Sequence, residues 1–151
     1  MPPNERQPGQ AQEDRVRSHL VAEGYEQPYG TTDDEIRRNL VIEGRCADFV
    51  GYHRQLNMWL IAESKGSDMR GAEEQLTNTA KGLLAREPGA SGRIEYHVYT
   101  DRKNYNDLTH SRNGLGGYRQ IGGFLGYRDD DENFVFSHIE GTRMQVLMEA
   151  G

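Results

Sequence analysis

The sequence predicts a single α/β domain, a sheet with helices packed against it. Three observations carry that prediction. Apolar residues recur with helical and then strand-like periods in the order helix, helix, strand, strand, helix, strand. The 151 residues suffice for one domain and hardly for two. Leu, Ile, Val and Phe make up roughly 19% of the chain, which limits the core, but a formal net charge of −6 is too small to hold the chain open by self-repulsion.

Residues 1–12 are Pro, Gln, Gly and Asn with almost nothing apolar, and read as a disordered leader before one domain spanning 13–151. From 13 to 23, Val16, Leu20 and Val21 recur at helical spacing, and Gly24 suits the position just past a helix end. Thr32-Asp33-Asp34-Glu35 fits a capping box, with Thr32 as N-cap, opening a second helix through Ile36 and Leu40 to about Glu43. Residues 45–53 and 58–65 read as two strands. No Asn-Gly or Asp-Gly fixes the turn between them, so side chains must set the register. With His53 opposite Met58, Tyr52 meets Trp59 and Val50 meets Ile61, two favourable cross-strand pairs. The other face then carries Phe49 against Ala62 and Gly51 against Leu60. Both faces are partly apolar, as for strands covered on each side.

After Gly66, Ser67 or Asp68 can cap a helix running through Ala72, Leu76, Ala80, Leu83 and Leu84 and ending before Pro88-Gly89. Residues 94–100 alternate as a strand. Residues 101–130 are polar and glycine-rich and read as a loop region, with 122–126 as flexible turns and Asp129 to Glu132 as a polar hairpin tip. Residues 134–139 look like another strand, and 142–148 like a strand or short helix.

Several functional classes are excluded or disfavoured. No stretch approaches the ~20 apolar residues of a membrane span, and the first residues lack the apolar middle of a secretory signal. The single Cys46 rules out an internal disulfide framework and a cysteine-rich zinc site. The histidines show no paired ligand spacing, and the glycine runs at 113–117 and 122–126 lack the Gly-Lys-Ser/Thr of a P-loop. A cytoplasmic protein is expected. The acidic balance argues against indiscriminate coating of nucleic acid. Even so, fifteen of the eighteen basic residues are Arg, the side chain suited to bidentate phosphate contacts.

The hairpin register sets Asp48 directly opposite Glu63, with Lys65 on the same face two residues on. Opposed carboxylates destabilise a sheet unless a cation relieves them, and Lys65 or a bound metal are the candidates. Two such carboxylates are hard oxygen ligands for Mg²⁺ or Mn²⁺, and the Ser64 carbonyl could add another. An ammonium beside them can orient a water and stabilise phosphate charge, which together is the equipment of metal-assisted phosphodiester hydrolysis. The competing reading is solvated charge at strand ends. Against it, Asp48 lies inside an apolar run and Glu63 closes the most hydrophobic segment of the chain, where charge is costly.

Asp48 with Glu63-Ser64-Lys65 resembles the PD-(D/E)XK nuclease superfamily, the restriction-endonuclease-like fold. Residues 44–50 (GRCADFV) are similar to the strand that delivers that family's aspartate, and 59–65 (WLIAESK) to its apolar strand ending in E-x-K. Gln75, in the opening turn of the next helix, matches the glutamine of branches that include type I restriction motor subunits and RecB-like nucleases. The resemblance covers roughly 13–85 and departs at Ala47, where the name motif has proline. It implies a mixed central sheet flanked by helices, with Asp48 and Glu63 holding Mg²⁺ or Mn²⁺, Lys65 assisting the attacking water, and Gln75 holding phosphate or water. A further acid from the first helix is also implied: Glu13 is the best match, with Arg17 one turn on, and Glu23 and Glu35 are alternatives. Arg112, Arg119 and Arg128 are candidate substrate contacts on a DNA-facing loop. The implied activity is hydrolysis of DNA by a homodimer or a subunit of a larger assembly. A non-catalytic domain of this fold, binding nucleic acid or a protein partner, is the alternative.

Overall fold

The computed structural model describes residues 8–65, 71–103, 105–106, 123–128, 130–131 and 134–139. In chain order these form α1 (Pro8–Ala22), β1 (Tyr25–Glu26), α2 (Asp33–Leu40), β2 (Phe49–His53), β3 (Met58–Ser64), α3 (Ala72–Arg86), a 3-10 turn (Pro88–Ala90), β4 (Ile94–Thr100), β5 (Gly123–Arg128) and β6 (Phe134–Ile139). Among the described residues the strands make one mixed sheet in the order β1-β2-β3-β4-β5-β6. The pairs β1·β2, β2·β3 and β5·β6 are antiparallel, while β3·β4 and β4·β5 are parallel.

The fold is an α/β three-layer arrangement. On one face, Val16 and Leu20 of α1 pack on Phe49, Leu60, Ala62 and Tyr99. On the other, α2 and α3 bury Ile36, Leu40, Leu76 and Leu83 against Val50, Ile61, Ile94, Tyr96 and Val98. The strand period of two sorts these sets: Ile61 faces α3 while its neighbours Leu60 and Ala62 face α1, and all three are fully buried. Covering both faces explains why β3 reads as an unbroken apolar run.

The β2–β3 register is the one the side-chain pairs predict: His53 opposite Met58, Tyr52 opposite Trp59, Val50 opposite Ile61. The turn closes without a glycine because Asn57 takes a left-handed φ of 51°, and the Leu56 N–H donates to His53 Nδ1 at 3.2 Å. Thr32 caps α2 as expected, its hydroxyl accepting the Glu35 N–H at 3.2 Å. The helix stops at Leu40 rather than Glu43, because Val41 turns left-handed (φ 53°) and the Ile42 N–H returns to the Arg37 carbonyl at 2.9 Å. That turn leaves Val41 77% exposed and buries Ile42.

Several expectations are corrected. Residues 8–12, assigned to the leader, belong to α1; its first residue is proline, whose fixed φ suits a first helical turn that needs no N–H. The glycine-rich 123–128, read within the 101–130 loop region, is strand β5, held between β4 and β6 so that pairing on both edges outweighs the low strand propensity of Gly123 and Gly126. The rest of that region is helical at 102–103 and 105–106, where Tyr105 packs its ring 4.6 Å from Tyr127. Strand β2 starts at Phe49, four residues later than read. Helix α3 begins at Ala72, with Gly71 as N-cap; Ser67 and Asp68 lie outside the described residues, as do 142–148.

Candidate functional site

Asp48 stands one residue before β2. The pairing of Phe49 with Ala62 continues to set it against Glu63. Its Oδ2 accepts the Ser64 N–H at 3.0 Å, and the Asp48 and Glu63 carboxyls are hydrogen-bonded to each other. Glu63 is only 3% exposed. Burial, then the charge of Asp48, pushes the Glu63 carboxyl well above the usual carboxylate range. Burial raises Asp48 as well, partly offset by its bonds from Glu63 and the Ser64 N–H. Both shifts run against ionising the two carboxyls together, as for opposed acids in a low-dielectric site. Glu63 Oε2 is buried with no hydrogen-bond partner.

Lys65 follows Ser64 at the end of β3, its N–H donating to the Tyr99 carbonyl at 2.7 Å. Its charge opposes the upward shifts of Glu63, Asp48 and Glu13. Glu13 reaches the same place from α1. Burial first, then Asp48 and Asp33, push its carboxyl up to about 7, with Arg17 and Lys65 pulling the other way. Arg17 also pairs with Asp14 at 3.3 Å.

The alternatives to Glu13 lie elsewhere. Glu35 is occupied in the cap, accepting from the Thr31 and Thr32 hydroxyls at 3.4 and 3.2 Å. Glu23 is at the other end of α1, where its carbonyl bonds His53. The sequence reading missed Asp33, whose charge bears on both Glu13 and Asp48; its place in a capping box already accounted for an acid there.

What fixes Asp48 is a set of bonds from α3 to the chain just before it. Gln75 Nε2 donates to the Cys46 carbonyl at 3.3 Å. Asn78 Nδ2 donates to the Arg45 carbonyl at 3.1 Å, and Thr79 Oγ1 accepts the Ala47 N–H at 2.8 Å. Gln75 thus holds the chain two residues before Asp48, and its Oε1 is buried without a partner. Cys46 is buried, its thiol pushed up to about 11 by burial, and serves as small apolar filling.

Because β3, β4 and β5 are parallel, their carboxyl ends meet at one edge of the sheet, the usual location of ligand crevices in open α/β sheets. Glu63 and Lys65 lie at that end of β3. Arg128 closes β5 at the same edge, in a strand rather than a loop. Arg112 and Arg119 lie outside the described residues.

Among the described residues, no three His, Cys, Asp or Glu side chains are grouped as a complete metal-holding set. The oxygen-only pair of Asp48 and Glu63, with one orphaned oxygen, nevertheless fits a hard cation that takes one or two carboxylates and completes its shell with water or phosphate. No helix among the described residues is long and apolar enough to cross a membrane. No family model, curated protein or solved structure matches the chain.

Proposed function

We propose that this chain is a Mg²⁺-dependent nuclease of the restriction-endonuclease-like fold that hydrolyses phosphodiester bonds in DNA. The observation that carries the reading is the buried, hydrogen-bonded pair of Asp48 and Glu63 with Lys65 beside it. Burying two acids against each other is costly for folding alone. Four parts of the nuclease resemblance support the reading by coming together: the acid of the first helix, the aspartate strand, the E-x-K strand and the glutamine helix.

Asp48 and Glu63 would hold the metal, with Mn²⁺ able to replace Mg²⁺; when bound it supplies polarisation of the phosphoryl oxygen and a more acidic water. Lys65 orients the attacking water and offsets charge on the phosphate. Glu13, with a carboxyl near 7, is suited to take or give a proton at neutral pH as water oxygen bonds phosphorus and the departing sugar oxygen is protonated. Gln75 acts through the Cys46 carbonyl to position Asp48. Arg128, with Arg112 and Arg119, supplies phosphate contacts. The active form in this reading is a homodimer or a subunit of a larger assembly in the cytosol.

The test is incubation of supercoiled plasmid and single-stranded DNA with Mg²⁺, Mn²⁺ or EDTA, beside Glu63→Gln and Lys65→Ala. Metal-dependent nicking that falls by at least about 100-fold in both variants is expected. A folded wild type that cuts neither substrate with either metal would overturn the reading in favour of a non-catalytic domain.

A further inference from the structure

A cleft lies on the α1 face of the sheet, away from the carboxylate pair. It has a volume of about 440 Å³ and its walls include His19 of α1, Glu23 just past that helix, Tyr25 of β1, His53 of β2, His97 of β4 and Phe134 of β6. That volume accommodates a single nucleoside. Its walls are largely rings: His19 packs on Phe134 with centroids 4.6 Å apart, and Tyr25 meets His53 edge-on at 5.2 Å.

The three histidines differ in what they have left to offer. His53 Nδ1 accepts the Leu56 N–H, so Nε2 carries the proton and donates to the Glu23 carbonyl at 3.0 Å. His97 is held between Glu95 (3.4 Å from Nε2) and the Tyr99 hydroxyl (2.8 Å from Nδ1). The His19 imidazole, unlike its carbonyl, makes no hydrogen bond among the described residues. Burial disfavours its charged form, and a neutral imidazole offers one donor and one acceptor.

This chemistry narrows the occupant. The acids around the cleft, Glu23 and Glu95, disfavour a phosphate. No metal-holding group of three occurs among the described residues. A flat, uncharged heteroaromatic ring satisfies the aromatic walls, the free imidazole and a nearby carboxylate, above all a ring with an exocyclic amino group for the carboxylate to accept from. Geometry links the cleft to the carboxylate pair. Helix α1 runs on from Glu13, whose charge bears on Asp48, to Ala22, and the Glu23 carbonyl just past its end bonds His53. His19 is therefore roughly 9 Å along the helix from Glu13, within a few nucleotides of a strand at Asp48 and Glu63.

We propose that the cleft walled by His19 and Phe134 receives an unstacked adenine or cytosine from the strand whose phosphodiester lies at Asp48 and Glu63. The proposal rests on the nuclease reading for its strand. It implies a preference for single-stranded or frayed DNA, since a base in a duplex cannot enter.

The test follows the His and Phe side-chain NMR signals of the full chain, without metal, during titration with adenosine, cytidine, thymidine or deoxyribose 5-phosphate to about 10 mM. Adenosine and cytidine should shift the His19 and Phe134 signals saturably, with thymidine weaker and the sugar phosphate silent. His19→Ala should weaken adenosine about tenfold. Phe134→Leu serves as a second variant, with the same loss expected. No saturable shift, or equal shifts with deoxyribose 5-phosphate, would overturn the proposal. Cleavage plays no part in this readout, so adenosine binding by a protein that never nicks DNA would count against the nuclease reading alone.

Discussion

The hydroxyl of Thr79 accepts the Ala47 N–H at 2.8 Å while donating to the Gln75 carbonyl at 2.6 Å. A proline in place of Ala47 would have no N–H to give. The alanine donor and the fully buried threonine therefore act together to hold the chain just before Asp48. Thr79→Val keeps the shape and orphans the Ala47 N–H, and should cost about 1–3 kcal/mol. Thermal melting should show a loss of roughly 2–4 °C per kcal/mol. Thr79→Ser should melt close to wild type; equal losses in both variants would mean that methyl packing, not the hydroxyl, matters.

Val41 is a β-branched residue in left-handed conformation, φ 53° and 77% exposed. The turn it makes is needed to bury Ile42, but the valine side chain is not. Val41→Gly relieves the backbone clash and should raise stability by about 1 kcal/mol, with Val41→Asn close behind. A melting temperature that falls in both would show that the valine makes a contact worth more than the strain.

Legibility in the sequence followed locality. The β2–β3 register was readable because Tyr52 with Trp59 and Val50 with Ile61 allow only one good alignment, and that register alone opposes Asp48 and Glu63. Strand β5 was not readable, because its glycines signal turns unless both neighbouring strands are known. Thr79 and Asn78 were silent because their partners lie 32 and 33 residues away, at backbone groups that no side-chain pattern reveals. Asp33 was hidden by its own good local explanation. Glu13 stood among three candidate acids, and only the path of α1 across the sheet separates it from Glu23.

Lys65 lowers the affinity of Glu13 for its proton, against burial and the charges of Asp48 and Asp33. Replacing it with Gln should therefore move the Glu13 carboxyl above about 7. Carbon-detected NMR titration of the Glu side chains reads this directly. A Glu13 pKa that stays put or drops in Lys65→Gln would place the ammonium out of electrostatic reach and weaken its assignment to the site.

The raised carboxyls also dictate how stability varies with pH in EDTA. A folded-state pKa above the unfolded value means that the folded chain binds the proton more tightly, so stability is greatest below the unfolded pKa and is lost as pH rises toward the folded one. For Glu13 that window runs from 4.5 to about 7, and Asp48 and Glu63 contribute with the same sign. The melting temperature should thus fall across this window, and the slope should flatten in Glu13→Gln and more so in Glu63→Gln, which carries no charge to bury. Mg²⁺ or Mn²⁺ should reverse the trend, because the cation needs the ionised pair, so its affinity climbs with pH. Glu63→Gln should then melt above wild type at pH 8 in EDTA and gain least from added metal. A wild type whose melting temperature rises between pH 5 and 8 in EDTA would show that burial does not raise these carboxyls in the folded chain.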